Sequence, residues 1–242
     1  MNFEQYGILA ENSELSFIQR SGRYKIQAHG VKRAILDIAE KLKINPEDRL
    51  LDVGCGVGDI TIALSMMVTH TTCIDHPKVL AVFKKRLPED NLDFIEGDFL
   101  EINISTKFDK ILSYGVVMNL PSSSDVIRFI DKMVGLLVPG GRILVGDLPN
   151  INKKKRFNES RRGQEFAKEW NKLMSEPDNK RGVEWINRNV IMSEMNVVFD
   201  DQLIAELLLR YRTQGLDAYI LPQPPDLAFG HTREDLLIIC PD

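Results

Sequence analysis

The stretch Leu50-Leu51-Asp52-Val53-Gly54-Cys55-Gly56-Val57-Gly58-Asp59 sets three glycines between a β-branched run and a helical pattern. Glycine at such a junction lets the backbone turn sharply, and it lets a ligand approach where a Cβ would collide. Spacing then selects among ligands. A nicotinamide or flavin loop needs GxGxxG, but here the third glycine comes one residue early and Asp59 holds the required position. A P-loop needs GKS or GKT, and no lysine follows. A carboxylate beside the next helix would also repel a pyrophosphate. The loop suits a nucleoside ligand without phosphates.

Two further acids extend the pattern. Asp75 closes the second β-branched run, 21 residues after Gly54, and Asp98 follows the third, 23 residues further on. Each interval is one β–α unit, so all three positions fall at the carboxyl ends of successive parallel strands. In a sheet ordered 3-2-1 neighbouring ends stand about 4.8 Å apart, which makes a ruler of about 10 Å beside the switch point where such sheets bind ligands. A carboxylate at the middle mark can accept both hydroxyls of a ribose. One at the far mark can accept an adenine amino group, leaving the glycine loop for an unphosphorylated tail.

These residues need a parallel sheet covered by helices, and the pattern from Arg49 to Asp147 supplies one. The runs 49–53, 71–75, 92–96, 108–113 and 141–146 read as strands. Between them, Ile60, Ala63, Leu64 and Met67 share a helical face, as do Val126, Phe129/Ile130 and Met133/Val134. Pro139-Gly140-Gly141 reads as a stop before the fifth strand. Ahead of the core, Val31, Ala34/Ile35, Ile38 and Leu42 form an amphipathic helix ending near Asn45-Pro46. A helix at about 201–212, a strand at LDAYILP and a last strand at EDLLIIC close the chain. The expected division is an N-terminal helical cap over 1–45 and a core over 46–242. An insert at about 150–196 is the expected substrate cap.

Composition narrows the class. The 242 residues are 43% hydrophobic and 27% charged, which fits a globular chain. A net charge of −4 argues against a general nucleic-acid binder. Three scattered cysteines and four histidines without HxH or HxxxH spacing give neither a disulfide framework nor a metal set, so no metal is expected. No run approaches a membrane span. The N-terminus lacks a basic stretch followed by an apolar one. A cytoplasmic protein with no membrane partner is expected.

LLDVGCGVGD, the CID acid, the EGDF segment, FDKILSYGVVMNLP and LLVPGGRILVGD together resemble class I S-adenosylmethionine-dependent methyltransferases, closely over residues 30–148. The resemblance implies a Rossmann-like α/β three-layer sandwich. Its seven-stranded, mostly parallel sheet has order 3-2-1-4-5-7-6, with strand 7 antiparallel. It also implies S-adenosyl-L-methionine as cofactor. Asp52, Gly54, Gly56 and Gly58 would hold its methionine part and Asp75 its ribose. Asp98 with the Phe99 backbone would hold the adenine, and Ser113 the ammonium. His76 is expected near the adenosine. A Rossmann-like domain for another nucleotide is the competing explanation, and it leaves the early third glycine unexplained.

Methyl transfer from a sulfonium asks mainly for alignment, and a hydroxyl acceptor also needs a base. His231, in the loop between strands six and seven, ranks first, and His29 in the N-terminal region is its substitute. Asp147 and Asn119 end or follow strands five and four at the same edge. His70 lies at the opposite edge. The stretch Ser113-Tyr114-Gly115-Val116 stands where amino-directed methylases carry (N/D)PP(Y/F), which favours a small-molecule acceptor over a nucleobase. The insert carries eleven Lys/Arg and seven Asp/Glu. Lys153–Arg156, Arg161 and Arg162 would bind an anionic acceptor, with Trp170 and Trp185 as an apolar wall; alternatively the insert is a solvated, salt-bridged helical hairpin. The leading expectation is O-methylation of an anionic metabolite such as a sugar phosphate or nucleotide-linked sugar. The rivals are an RNA methyltransferase and a non-catalytic cofactor-binding module. The oligomeric state is not legible.

Overall fold

Consecutive residues of the β-branched runs go to opposite faces of one sheet, as the two-residue period of a strand requires. The computed structural model describes residues 3–86, 91–177, 179–180, 184 and 197–242. Its strands are β1 (Arg49–Val53), β2 (His70–Asp75), β3 (Leu92–Glu96), β4 (Phe108–Tyr114), β5 (Leu137–Pro149), β6 (Asp217–Pro222) and β7 (Arg233–Ile239). They form a seven-stranded sheet of order β3-β2-β1-β4-β5-β7-β6. β7 pairs antiparallel with both β5 and β6, and the remaining pairs are parallel. β6 therefore runs with the first five strands.

Leu51, Val53, Ile111 and Val145 look to one face. There they meet Val126, Phe129 and Met133 of α6 (Ser123–Gly135) and Leu203 and Leu207 of α9 (Asp201–Thr213). Leu50, Leu112, Leu144 and Leu237 look to the other face, against Ile35, Ile38 and Leu42 of α3 (Val31–Leu42) and Leu64 of α4 (Thr61–Ser65). α5 (Pro77–Lys84) covers Cys73 on that same face with Leu80 and Phe83. Both long helices of the first face are capped: Ser122 Oγ accepts from Asp125 N–H, and the Asp200 carboxylate from Leu203 N–H. Each such cap is worth about 1 kcal/mol.

Three local features differ from the sequence reading. α4 stops at Ser65 because Met66 and Met67 are exposed, leaving its last turn nothing to pack on. α3 ends at Leu42, where Lys43 takes a left-handed conformation (φ 50°) ahead of Pro46. Pro139–Gly141 does not stop a strand but lies inside β5. There the pairing with β4 jumps from Phe108↔Leu137 to Lys110↔Arg142, so the turn residues bulge from a continuing strand. The first part of the insert is helical, as its hairpin reading expects: α7 (Ile151–Glu159) and α8 (Arg161–Met174), joined at Ser160. Trp185 and most of 181–196 lie outside the described residues.

The N-terminal residues form α1 (Phe3–Glu11), α2 (Phe17–Arg20) and a 3₁₀ turn (Lys25–Gly30). α1 lies on α5, where Ala10 packs with Val57 and Val79. This arm crosses the carboxyl edge of the sheet.

Candidate functional site

The glycine loop is built on left-handed backbone. Gly54, Gly56 and Gly58 have φ of 80°, 60° and 88°. A Cβ on Gly54 would collide with Val116, and one on Gly58 with the Phe83 ring. Gly58→Ala combines a disfavoured φ with overpacking, so it should lower the unfolding free energy by about 2–4 kcal/mol. A shifted denaturant midpoint would show this, and an unmoved midpoint would contradict it. Asp59 does not face the loop as a bare charge. Arg86 holds it at 2.8 Å, Ser21 Oγ donates to it at 3.0 Å, and Arg86 also donates to the Val57 carbonyl.

The three strand ends stand side by side through direct hydrogen bonds. Gly54 N–H donates to Ile74 O at 2.8 Å, and Gly97 N–H to Asp75 O at 3.1 Å. The Asp75 carboxylate accepts one bond per oxygen, from Gly56 N–H (2.8 Å) and His76 N–H (2.7 Å). Each oxygen keeps a lone pair, and burial raises the pKa of the group. Asp98 accepts Leu100 N–H at 2.9 Å, while the Phe99 ring turns into the core against Phe129. Lys132 takes the Phe99 carbonyl. Asp52 lies beneath the loop, 2.6 Å from Thr61 Oγ1. Its burial pushes the carboxyl up to about 7, opposed by the Thr61 hydroxyl and reinforced by the Asp75 charge. At the end of β4 the Ser113 hydroxyl is buried without a hydrogen-bond partner. The strand ends thus carry unused acceptors and one buried, unpaired hydroxyl.

The arm adds two residues that sequence reasoning missed. Tyr6 is half-buried with its ring against Gly22, and its phenol pKa is raised by desolvation and by the charge of Asp75. Arg23 donates to Tyr114 O at 3.4 Å and lies over the Tyr114 ring at 5.3 Å. Its charge lowers the pKa values of both Asp52 and Asp147. His76 belongs to the arm's seat. Its Nδ1 accepts Lys78 N–H to cap α5, its Nε2 lies 3.3 Å from Glu4, and Phe3 covers the ring at 4.9 Å.

On the opposite side of β1 from β2 and β3, over the tips of β4 and β5, lies a half-open pocket. Its walls are Arg23 and Gln27 of the arm, Val31 and Ala34 of α3, Tyr114 and Asp147 of the strand tips, and Gln223, Leu227 and Phe229 of the β6–β7 loop. Asp147 is one of two described non-glycine residues with positive φ, at 62°. β7 pins this strained backbone from both sides: the Asp235 carboxylate accepts Asp147 N–H at 2.9 Å, and Arg233 donates to Asp147 O at 3.1 Å. Burial raises the Asp147 pKa against the opposing charges of Arg233 and Arg23. Asp235 is itself held by Lys41 at 2.7 Å and by Gln223, which also reaches the Tyr114 hydroxyl at 2.9 Å. Strain of this kind persists only where surroundings over-determine it, and it marks functional positions.

Among the residues ranked as bases, only Asp147 lies in the cavity wall. His231 stacks on Phe157 of α7 at 4.7 Å, and its pKa is lowered by burial and by Arg162 and Lys153. His29 is exposed on the 3₁₀ turn. Asn119 donates back to the carbonyls of Gly115 and Val116. His70 pairs with Asp93 at the far edge. In the insert, Arg156 is bound to Asp201 and Arg161 to Glu165, while Lys153 meets Glu234 and the Arg233 carbonyl. Several of the expected anion-binding cations thus already have carboxylate partners. Among the described residues there is no group of three His, Cys, Asp or Glu placed to hold a metal, and no helix long and apolar enough to cross a membrane.

A family model described as a methyltransferase domain matches residues 51–145. The probable cobalt-precorrin-6B C(15)-methyltransferase (decarboxylating) of Methanobrevibacter smithii is 30% identical over 134 residues, covering 50% of this chain and 68% of that protein. The probable ribosomal RNA small subunit methyltransferase A of Methanothermobacter thermautotrophicus is 34% identical over 105 residues, 42% of this chain and 36% of that protein. The chain spans between about a third and just over half the length of several such relatives. In fold, it matches the crystal structure of the N-methyltransferase NodS from Bradyrhizobium japonicum WM9 in complex with S-adenosyl-L-homocysteine. The TM-score is 0.65 with 16% identity, over 99% of this chain and 98% of that one. With the left-handed glycine loop, the adjoining acids and the 3-2-1-4-5-7-6 sheet already in place, these likenesses make the chain a member of the class I S-adenosylmethionine-dependent methyltransferases.

Proposed function

We propose that the protein catalyses S-adenosylmethionine-dependent methyl transfer to a small-molecule acceptor held in the cavity over β4 and β5. The observation that carries this is the position of that cavity. Its walls include the tips of β4 and β5. β4 pairs with β1, whose end carries the glycine loop, on the side away from Asp75 and Asp98. A cofactor laid along those acids would therefore present its methyl end toward Arg23, Gly115 and Asp147.

The residues present fit the cofactor. Asp75 keeps free lone pairs for hydroxyl donors, and the buried Ser113 hydroxyl lacks a partner. When bound, S-adenosylmethionine supplies a methyl group on a sulfonium, an electrophile that needs little activation. Asp52 and the three glycines are assigned to its methionine part, Asp75 to the ribose, and Asp98 with the Phe99 backbone to the adenine. Tyr6 and Arg23 close the groove from the arm and exclude water. Asp147 is assigned to take the acceptor's proton, and Tyr114 and Gln223 to orient the acceptor. Arg23, in the cavity wall, supports an anionic acceptor better than the paired insert cations do, and methylation at oxygen is the reaction that uses a base there.

Protonation of Asp52 couples to this cofactor. The free protein holds the proton up to about pH 7, whereas a neighbouring cation favours the ionised carboxylate. Binding below that pH must therefore expel a proton, so affinity should rise as pH climbs through about 7 and level off above it. Calorimetry at pH 5.5 and 8 should give affinities differing about tenfold or more, with proton release only at the lower pH. Equal affinities would remove the coupling.

A second reading, an RNA substrate, is favoured by the ribosomal RNA methyltransferase likeness and by the exposed Lys154, Lys155 and Arg162. Methyl-labelled cofactor incubated with protein and a cell extract separates the two. Label in the low-molecular-weight fraction, at a rate insensitive to salt, supports the small acceptor. Label in RNA that falls steeply with salt would replace it.

A further inference from the structure

The α7–α8 hairpin turns an aromatic side toward the acceptor cavity. Trp170 lies 5.2 Å from Phe229 and 6.2 Å from Tyr24, and those two are themselves 6.2 Å apart. One turn earlier on α8, Phe166 stacks on Trp170 at 6.0 Å, and Phe157 of α7 stacks on His231. Each of these rings is only half-buried. α7 buries no residue and α8 buries only Gly163. Rings gathered this closely ordinarily leave water. Here the described residues leave ring surface uncovered, and Phe229 carries it into the cavity.

Two guanidinium groups stand at the wall, and Arg233 also pairs with Asp147 at 3.9 Å. The Arg233 guanidinium lies over the Phe229 ring at 5.5 Å, and Arg23 stands at the cavity's inner end. Lys153 and Arg162 are close enough to His231 to disfavour its protonation. Asp147 is the carboxylate among the cavity walls. A sugar phosphate would match the cations but would strand its hydroxyls, stripped of water, against ring faces. An aromatic amine would match the rings but meet like charge.

We infer that the acceptor is a free hydroxyl-bearing aromatic acid, its planar ring lodged on Phe229 with Trp170 and Tyr24 backing that ring, its carboxylate drawn by Arg23 and Arg233, and its hydroxyl, the group that is methylated, presented to Asp147. The inference rests on the reading of the cavity as the acceptor site. In this arrangement the hairpin backs the ring face, while the strand tips supply the polar floor.

The chain has two tryptophans, so Trp185→Phe leaves Trp170 as the sole reporter. This variant, saturated with S-adenosylhomocysteine, is titrated by emission and calorimetry with 4-hydroxybenzoate, indole-3-carboxylate, cyclohexanecarboxylate, glucose 6-phosphate, tyramine and a ten-nucleotide RNA. An aromatic acid should quench Trp170 saturably and bind at least tenfold tighter than every other probe. Phe229→Leu or Trp170→Leu should erase most of that preference with S-adenosylhomocysteine affinity unchanged. The inference is overturned if neither aromatic acid binds, or if the saturated acid, sugar phosphate, amine or RNA binds as tightly. Failure of S-adenosylhomocysteine itself to bind would instead bring down the underlying reading of the site.

Discussion

Asp75→Ala should weaken binding of S-adenosylhomocysteine by at least about a hundredfold. Two ribose hydroxyls would each lose a charged acceptor, at about 1.5–3 kcal/mol per bond, and about 3 kcal/mol in total already exceeds two decades. The substitution also releases the N–H groups of Gly56 and His76, which now donate to that carboxylate at 2.8 and 2.7 Å. The loop would then lose the anchor that holds its middle glycine toward β2. Calorimetric titration measures the effect directly, and an affinity within threefold of the unmodified protein would refute the assignment of the middle acid to the ribose.

Asp147→Asn should lower kcat by about 10²–10⁴, the usual contribution of a general base, while leaving cofactor affinity unchanged. The pH profile adds a second signature. Burial holds this carboxyl above the ordinary carboxylate range, and a base works only when ionised. The rate should therefore rise with pH through that raised pKa in the unmodified protein and lose this acid limb in the variant. His231→Ala is the companion measurement. Its imidazole stacks on Phe157, outside the cavity walls, so a small effect is expected. A large loss in His231→Ala with little in Asp147→Asn would return the base to His231.

The positions of the glycine loop and the acids were legible because each depends on neighbours within one β–α unit. A strand, a turn and a helix fix Gly54, Asp75 and Asp98 relative to their own backbone, and parallel pairing then sets the three ends side by side. The carboxyl end of β5 was legible in the same way, and with it Asp147. Its left-handed backbone was not, because that depends on contacts from Arg233 and Asp235, 86 and 88 positions away. Lys41 and Asp235, 194 positions apart, meet only once α3 and β7 are both docked. Tyr6 and Arg23 left no signal, since the arm carries no periodicity and gains its meaning by crossing the sheet edge. The cap hairpin was legible as one of two readings of the insert, and its interspersed charges pair as that reading expects, Arg161 with Glu165 among them.

The most direct test of the central claim is a crystal structure with S-adenosylhomocysteine. The ribose is expected on Asp75, the adenine beside Asp98 and Phe99, and the homocysteine tail over Gly54 and Gly56. Its sulfur should face the cavity walled by Arg23, Tyr114 and Asp147. A ligand bound elsewhere, or a sulfur turned away from that cavity toward the bulk of the sheet, would contradict both the cofactor assignment and the acceptor site built upon it.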